Sequence, residues 1–169
     1  YCTRTSLFIH ATLAEALFYK TIYTPYGFSS SEINQICSTV KKSGINEGWK
    51  KCIDLGLRRV KKADKGTYAN IKQKLEFYVK EFIEEPIHIR NKIAHGQWIK
   101  CLNNECNNYN DVITKQLEKL DFIQIEKWKD GFSALADIIE IMIESPQRHF
   151  HHNLYEKISE YEAISNSKK

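Results

Sequence analysis

The spacing of apolar residues along this chain predicts α-helices over most of its length. From about residue 4 to residue 22, apolar side chains recur every three or four positions, at Leu7, Ala11, Ala14, Leu17 and Phe18. The same spacing returns in residues 49–60, 71–93 and 125–142. Such a repeat places the apolar side chains on one face of a helix, where a neighbouring helix can bury them.

Turn and capping residues predict where the first three helices begin and end. Residues 23–27 include a proline and a glycine and should end the first helix. Ser29 and Glu32 have the spacing of a capping box, which predicts the start of a second helix. That helix should end near Gly44, and we expect Asn46 to cap a third.

The second half of the chain contains further breaks. Pro86 should kink or divide a fourth helix that begins near Tyr68, because proline lacks an N–H and crowds the preceding turn. Residues 101–110 hold five asparagines and are predicted to form a loop. Residues 112–122 fit a helix or a short strand. A last helix is expected over residues 147–164.

Length and composition agree with an all-α fold. With 169 residues, only seven glycines and three prolines, the chain favours long regular elements over turns. We therefore expect one domain, residues 1–169, built as a helical bundle of about five or six helices.

No apolar run approaches the ~20 residues that span a bilayer. The chain begins with Tyr1 rather than Met, so we expect it to be a piece of a longer protein.

Cysteine content and charge narrow the class of protein only slightly. Five cysteines, an odd number at scattered spacing, favour reduced thiols and a cytoplasmic location over a disulfide framework. The net charge is +4, which suits a polyanionic partner but is too small to identify one.

Residues 89–97, Ile-Arg-Asn-Lys-Ile-Ala-His-Gly-Gln, hold the strongest chemical signal. Histidine can move protons near neutral pH, and the planar fork of an arginine can bind an anionic phosphorus centre. Arg90 and His95 together therefore supply the minimum set for cleaving RNA without a metal.

The string formed by Arg90, Asn91, three residues and His95, followed by Gly96, resembles the Arg-x4-6-His signature of HEPN domains. In that family a polar residue typically follows the arginine. The resemblance covers six or seven positions, and elsewhere it rests on the helical pattern and the length. It implies an HEPN-like helical bundle and an RNA endonuclease, acting as a homodimer in toxin or antiphage defence. An antitoxin and further domains of a longer chain are other partners that it leaves open.

The resemblance also implies roles for the motif residues. The ribose 2′-OH would attack, leaving a 2′,3′-cyclic phosphate and a 5′-OH. His95 would take the proton of the nucleophile or protonate the leaving oxygen. Arg90 would stabilise the pentacoordinate phosphorane. Asn91, one turn before His95, would orient the histidine or bind a phosphate oxygen. No cofactor and no metal are required.

The spacing of the motif raises a geometric problem. At 100° per residue, Arg90 and His95 point about 140° apart on one helix, so they cannot easily reach one phosphate. Either Gly96 ends the helix early and turns His95, or two chains meet so that Arg90 of one serves His95 of the other. The resemblance to HEPN nucleases favours the second arrangement, in which two chains share the site.

A structural explanation of the same residues remains open. Arg90 could pair with Glu84 or Glu85, and His95 could cap the end of its helix. The corresponding alternative function is a non-catalytic HEPN-like module that binds nucleotide or RNA, or that serves in dimerisation.

RNA contacts outside the motif are also candidates. The basic run near residues 58–62 fits either a solvated helix end or an RNA contact, and His88 fits either an exposed residue or a wall of the same cleft. The RNA-binding set that we predict comprises His88, Lys92, Arg58, Arg59, Lys61, Lys62, Arg148 and His149.

Two further groups of residues contain side chains that can bind metals, but neither has the spacing of a well-defined metal site. Residues 148–152 gather an arginine and three histidines, which fit a solvated turn, an RNA contact or a metal site. Cys101 and Cys106 lie in the asparagine-rich loop, but a structural zinc site needs four ligands. We interpret these two cysteines as unpaired thiols.

Overall fold

The computed structural model describes residues 2–60, 65–144, 156–160 and 162 of the chain. Within these ranges it contains seven α-helices and no strand, which confirms the all-α fold class and comes close to the expected number of helices. The helices are α1 (Cys2–Ile22), α2 (Ser30–Ser43), α3 (Ile45–Arg59), α4 (Lys65–Val79), α5 (Glu85–Ala94), α6 (Asp111–Glu118) and α7 (Phe122–Glu144). Residues 156–160 are also helical, and the rest of the predicted last helix lies outside the described residues.

The helices pack around one core. Helix α1 lies against α7 and α5, α2 lies against α3, and α3 also contacts α4 and α7. The largest fully buried side chains are Trp49, Phe18, Phe82 and Phe132, which come from four different elements. Phe18 meets Trp49 edge to face, with ring centroids 5.1 Å apart. Burial of these aromatic rings supplies much of the hydrophobic driving force for folding.

Pro86 divides the fourth predicted helix. A π-helical turn, Lys80–Glu84, joins α4 to α5, and Pro86 occupies the first turn of α5. Proline cannot donate to the carbonyl four residues earlier, and its ring would collide with that carbonyl in a regular α-helix. A widened turn immediately before the proline removes both conflicts and lets the chain continue in the same general direction.

The predicted capping residues have mixed outcomes. The capping box of Ser29 and Glu32 is confirmed, with both of its hydrogen bonds present. The expectation for Asn46 was wrong, because α3 begins at Ile45 directly after Gly44. Gly44 has φ +88°, a left-handed value that glycine adopts without strain, and this allows one residue to separate α2 from α3.

The segment that fitted either a helix or a strand is helical. The side chain of Asn110 accepts a hydrogen bond from the backbone N–H of Ile113 at 3.1 Å and caps α6. Before it, residues 101–110 form the predicted loop, with one isolated bridge between Leu102 and Tyr109. Among the described helices, none combines the length and the apolar character needed to cross a bilayer.

Candidate functional site

The motif lies at the C-terminal end of α5, where the chain leaves the helix through a Schellman motif. The N–H of Gly96 donates to the carbonyl of Ile93, and the N–H of Gln97 donates to the carbonyl of Lys92, both at 3.0 Å. Gly96 has φ +80°, which a side chain would make unfavourable. The glycine that follows the histidine is therefore required by the end of the helix.

His95 keeps the register of the helix. It is the C-cap residue, with φ −86° and ψ 19°, and its N–H still donates to the carbonyl of Asn91 at 3.1 Å. The helix therefore does not unwind before His95, and the divergence of about 140° between Arg90 and His95 remains within one chain. Along the axis the two residues are about 7.5 Å apart, at 1.5 Å per residue.

The polar residues of α5 are accessible to different degrees. His88, Asn91 and His95 are exposed, as expected from their shared polar face. Arg90 is half-buried, and its Nε is buried without a hydrogen-bond acceptor among the described residues.

The structural explanation of the motif has only partial support. Neither Glu84 nor Glu85 forms an ion pair with Arg90 in the part of the chain that the structure describes. Glu84 instead contributes to raising the pKa of Lys50 on α3, a shift whose largest cause is the hydrogen bond from that lysine to Glu47. His95 does occupy the C-cap position, as that explanation requires.

Lys92 and Gln97 anchor the asparagine-rich loop to the end of α5. Lys92 is 9% exposed, and its Nζ donates to the carbonyl of Leu102 at 2.8 Å. The side-chain oxygen of Gln97 accepts from the N–H of Leu102 at 2.7 Å. The backbone C=O and N–H of Leu102 are thus bound by Lys92 of α5 and by Gln97, which lies just beyond that helix. Lys92 is therefore not part of the RNA-binding set that we propose.

Arg59 is also engaged within the protein. Its guanidinium donates to the carbonyls of Gly27 and Ile143, pairs with Glu32 and lies over the ring of Phe28. Burial raises the pKa of Glu32, but hydrogen bonds from Ser29 and Arg59 outweigh burial and lower it. Arg59 thus joins the start of α2 to the ends of α3 and α7.

Arg58 also forms an ion pair within the protein. It is exposed and pairs with Asp54 at 2.7 Å, and Asp54 also pairs with Lys72 on α4. Lys72 precedes Arg90 by 18 residues, and the π-helical turn and Pro86 lie between them. Arg58 is thus engaged with α4 through Asp54, whereas the motif lies at the end of α5, a helix against which α3 does not pack closely.

Lys61, Lys62, Arg148 and His149, with the whole cluster at residues 148–152, lie outside the described residues. Cys101 is buried, Cys106 is exposed, and both are free thiols. Over the described ranges, no group of three or more His, Cys, Asp or Glu side chains is arranged to hold a metal ion.

A groove that was not predicted from the sequence lies beside the motif. Its volume is about 220 Å³, and it is lined by Glu85 and Ile89 of α5, Gln116 of α6, Lys119, and Gln124 and Trp128 of α7. Burial, with the nearby carboxylate of Glu81, raises the pKa of Glu85. In the sequence, only the i, i+4 spacing of Glu85 and Ile89 pointed to a shared face, because α6 and α7 reach this place through tertiary packing.

Comparisons of this chain with protein-family models, with curated proteins and with solved structures gave no match.

Proposed function

We propose that this chain is a metal-independent RNA endonuclease of HEPN type that acts as a homodimer. Arg90, Asn91 and His95 would form its catalytic set, and His88 would contact the RNA beside them. Cleavage would leave a 2′,3′-cyclic phosphate and a 5′-OH, and the biological role would be that of a toxin or an antiphage effector in the cytoplasm.

One observation carries this proposal: among the residues that the structure describes, neither Arg90 nor His95 forms an ion pair with another side chain. His95 is exposed, and the Nε of Arg90 has no acceptor within the described ranges. A buried donor without an acceptor is costly, and a ligand that reached the guanidinium would remove this cost. An incoming phosphate would supply the acceptor, and guanidinium binds phosphate in a bidentate manner.

The divergence of Arg90 and His95 on one helix supports the dimeric form of the proposal. If the exposed faces of two α5 helices met at a two-fold axis, Arg90 of one chain could face His95 of the other. The two histidines would then be available as base and acid in the same reaction. Asn91, exposed one turn before His95, would lie at the same seam.

The test is cleavage of total RNA by the purified chain in EDTA. We expect cleavage with 2′,3′-cyclic phosphate ends, and no cleavage by His95→Ala or Arg90→Ala. Gln73→Ala, at an exposed position of α4, serves as the control for protein preparation and should cleave normally. Activity that disappears in EDTA and returns with Mg²⁺ would contradict the mechanism.

The same variants separate the two functions considered for this chain. A nuclease loses turnover in both variants while their thermal midpoints stay within a few degrees of the parent, because both residues lie off the apolar core face. A chain that binds RNA in EDTA without cutting it would instead be the non-catalytic binding module.

A further inference from the structure

The groove beside the motif combines an apolar floor with a polar rim. Ile89 and Trp128 form the floor, and each is only 3% exposed. The Nε1 of Trp128 is buried and has no acceptor within the described residues. Indole N–H groups that are buried usually find a partner, and a ligand that reached this group would supply one.

The rim of the groove is formed by Glu85, Gln116, Lys119 and Gln124. None of these side chains makes a hydrogen bond or an ion pair in the part of the chain that the structure describes. Together they offer one carboxylate, one ammonium and two amides around a single cavity. This set can bind a planar ligand that has hydrogen-bond donors and acceptors on neighbouring atoms.

The size and position of the groove suit one nucleobase. A volume of about 220 Å³ is below the roughly 300 Å³ at which pockets for drug-sized ligands begin. Ile89 directly precedes Arg90, and consecutive Cα atoms are about 3.8 Å apart. A base held against Ile89 would therefore lie close to the helix position that carries Arg90, the residue that we propose for the phosphate.

We propose that this groove is a base-binding subsite that selects guanine in single-stranded RNA. Guanine presents N1–H and N2–H side by side, and a carboxylate such as Glu85 accepts both. Lys119 would donate to guanine O6, an acceptor that lysine commonly binds. Gln116 and Gln124 would hold the remaining edge, while Ile89 and Trp128 contact the ring. Sequence-specific recognition of RNA mainly uses unstacked bases in this way.

This inference rests on the proposed function for its substrate class, and a binding assay tests it without depending on cleavage. Pentanucleotides with 2′-fluoro sugars cannot be cut, because fluorine replaces the nucleophilic hydroxyl. We would measure fluorescence anisotropy in EDTA with UUGUU, UUAUU, UUCUU and UUUUU. The parent protein should bind UUGUU about tenfold more tightly than the others, as expected for one bidentate contact.

Glu85→Gln is the decisive variant. Glutamine has nearly the same shape as glutamate and carries no charge. Because burial already raises the pKa of Glu85 and so disfavours its charged form, we expect the variant to fold, and a thermal melt checks this. The variant should lose the preference for UUGUU and bind all four pentamers alike. Glu126→Gln, an exposed residue of α7 outside the groove, removes the same charge and should keep the preference.

The outcomes distinguish this subsite from the nuclease proposal. Guanine preference that is lost in Glu85→Gln supports the subsite, whether or not RNA is cut. Cleavage of RNA with no preference among the pentamers overturns the subsite and leaves the nuclease proposal standing. Guanine preference without cleavage overturns the nuclease proposal and leaves the subsite as part of a binding module. Absence of both binding and cleavage overturns both.

Discussion

Three cationic side chains differ in whether their N–H groups find a hydrogen-bond acceptor: Arg59, Lys92 and Arg90. Arg59 donates to carbonyls in distant parts of the chain, and Lys92 donates to a carbonyl in the loop that follows its own helix. Arg90 lies on the same helix as Lys92, yet its Nε has no acceptor within the described ranges. The proposed chemistry depends on this difference, because a guanidinium that is already satisfied would gain little from binding a phosphate.

His10 is a buried residue whose two ring nitrogens have no hydrogen-bond partner within the described residues. It packs edge to face against Phe132, with ring centroids 5.0 Å apart. Burial, with the nearby charge of Lys129, lowers the pKa of His10 from 6.5 to about 4. The folded state thus holds this imidazole neutral over a range of pH in which the unfolded chain would bind a proton.

We predict that the folded state loses stability as the pH falls from about 6.5 towards 4. In this window the unfolded chain binds more protons than the folded chain, so the free energy of unfolding decreases with decreasing pH. The contribution of His10 is on the order of 3 kcal/mol at the acidic end. Urea unfolding at a series of pH values measures it.

The variant His10→Leu should remove this part of the pH dependence and should be more stable than the parent near pH 5. His88→Gln replaces an exposed histidine and should leave the dependence unchanged. Parallel pH profiles for the parent and His10→Leu would show that His10 is not the responsible group.

At the scale of elements, the end of α5 determines where the motif residues lie. Gly96 allows the Schellman motif that stops the helix, and Lys92 with Gln97 binds the loop that follows. These contacts fix His95 at the C-cap, exposed and next to a turn. We expect the position of His95 to depend on this turn more than on any contact of its own ring.

Gly96→Ala tests that dependence, and Gly44→Ala, which also replaces a glycine of positive φ but lies away from the motif, is its control. Both glycines have positive φ, +80° and +88°, and an added Cβ would meet no atom within 4 Å at either position. Gly96→Ala should lose about 1 kcal/mol, because left-handed strain is partly offset by the lower entropy of the unfolded chain. Gly44→Ala should lose more, on the order of 1–3 kcal/mol, because Gly44 combines φ +88° with ψ 171°, a region that essentially only glycine adopts.

The two variants should differ in RNA cleavage. Gly96→Ala should reduce it at least severalfold, because relief of the strain at residue 96 would shift His95. Gly44→Ala, between α2 and α3, should cleave at the parental rate. Urea unfolding and initial rates of cleavage give the two measurements. Equal rates for both variants would show that the turn does not position a reacting group.

At the scale of the whole molecule, the proposed site requires two chains. Mixing Arg90→Ala with His95→Ala subunits in equal amounts should restore activity that neither variant has alone. Half of the dimers would be mixed, and each mixed dimer would keep one Arg90 facing one His95. A quarter of the parental activity is therefore the upper limit, because the second histidine is absent from that site. Sedimentation would measure the assembly in parallel. A chain that remains monomeric while it cleaves RNA would contradict the shared site.

The sequence alone determined the all-α class, most of the described helices and the capping box. The 3.6-residue period of apolar side chains is a local property, and so is the pairing of Ser29 with Glu32, so both were predicted correctly. The effect of Pro86 was also local, although the π-helical form of the break was not foreseen. The error at Asn46 arose because Gly44 both ends α2 and begins α3, which needs a backbone conformation that spacing does not reveal.

Only the tertiary structure decided which polar residues are engaged with distant partners. Arg59 finds the carbonyls of Gly27 and Ile143, 32 and 84 positions away, and nothing in its neighbouring sequence predicts those contacts. The groove of Glu85 and Trp128 likewise exists because α5, α6 and α7 pack together. Hydrogen bonds within a helix depend on spacing, whereas these contacts depend on how the helices are arranged, which a local pattern does not encode.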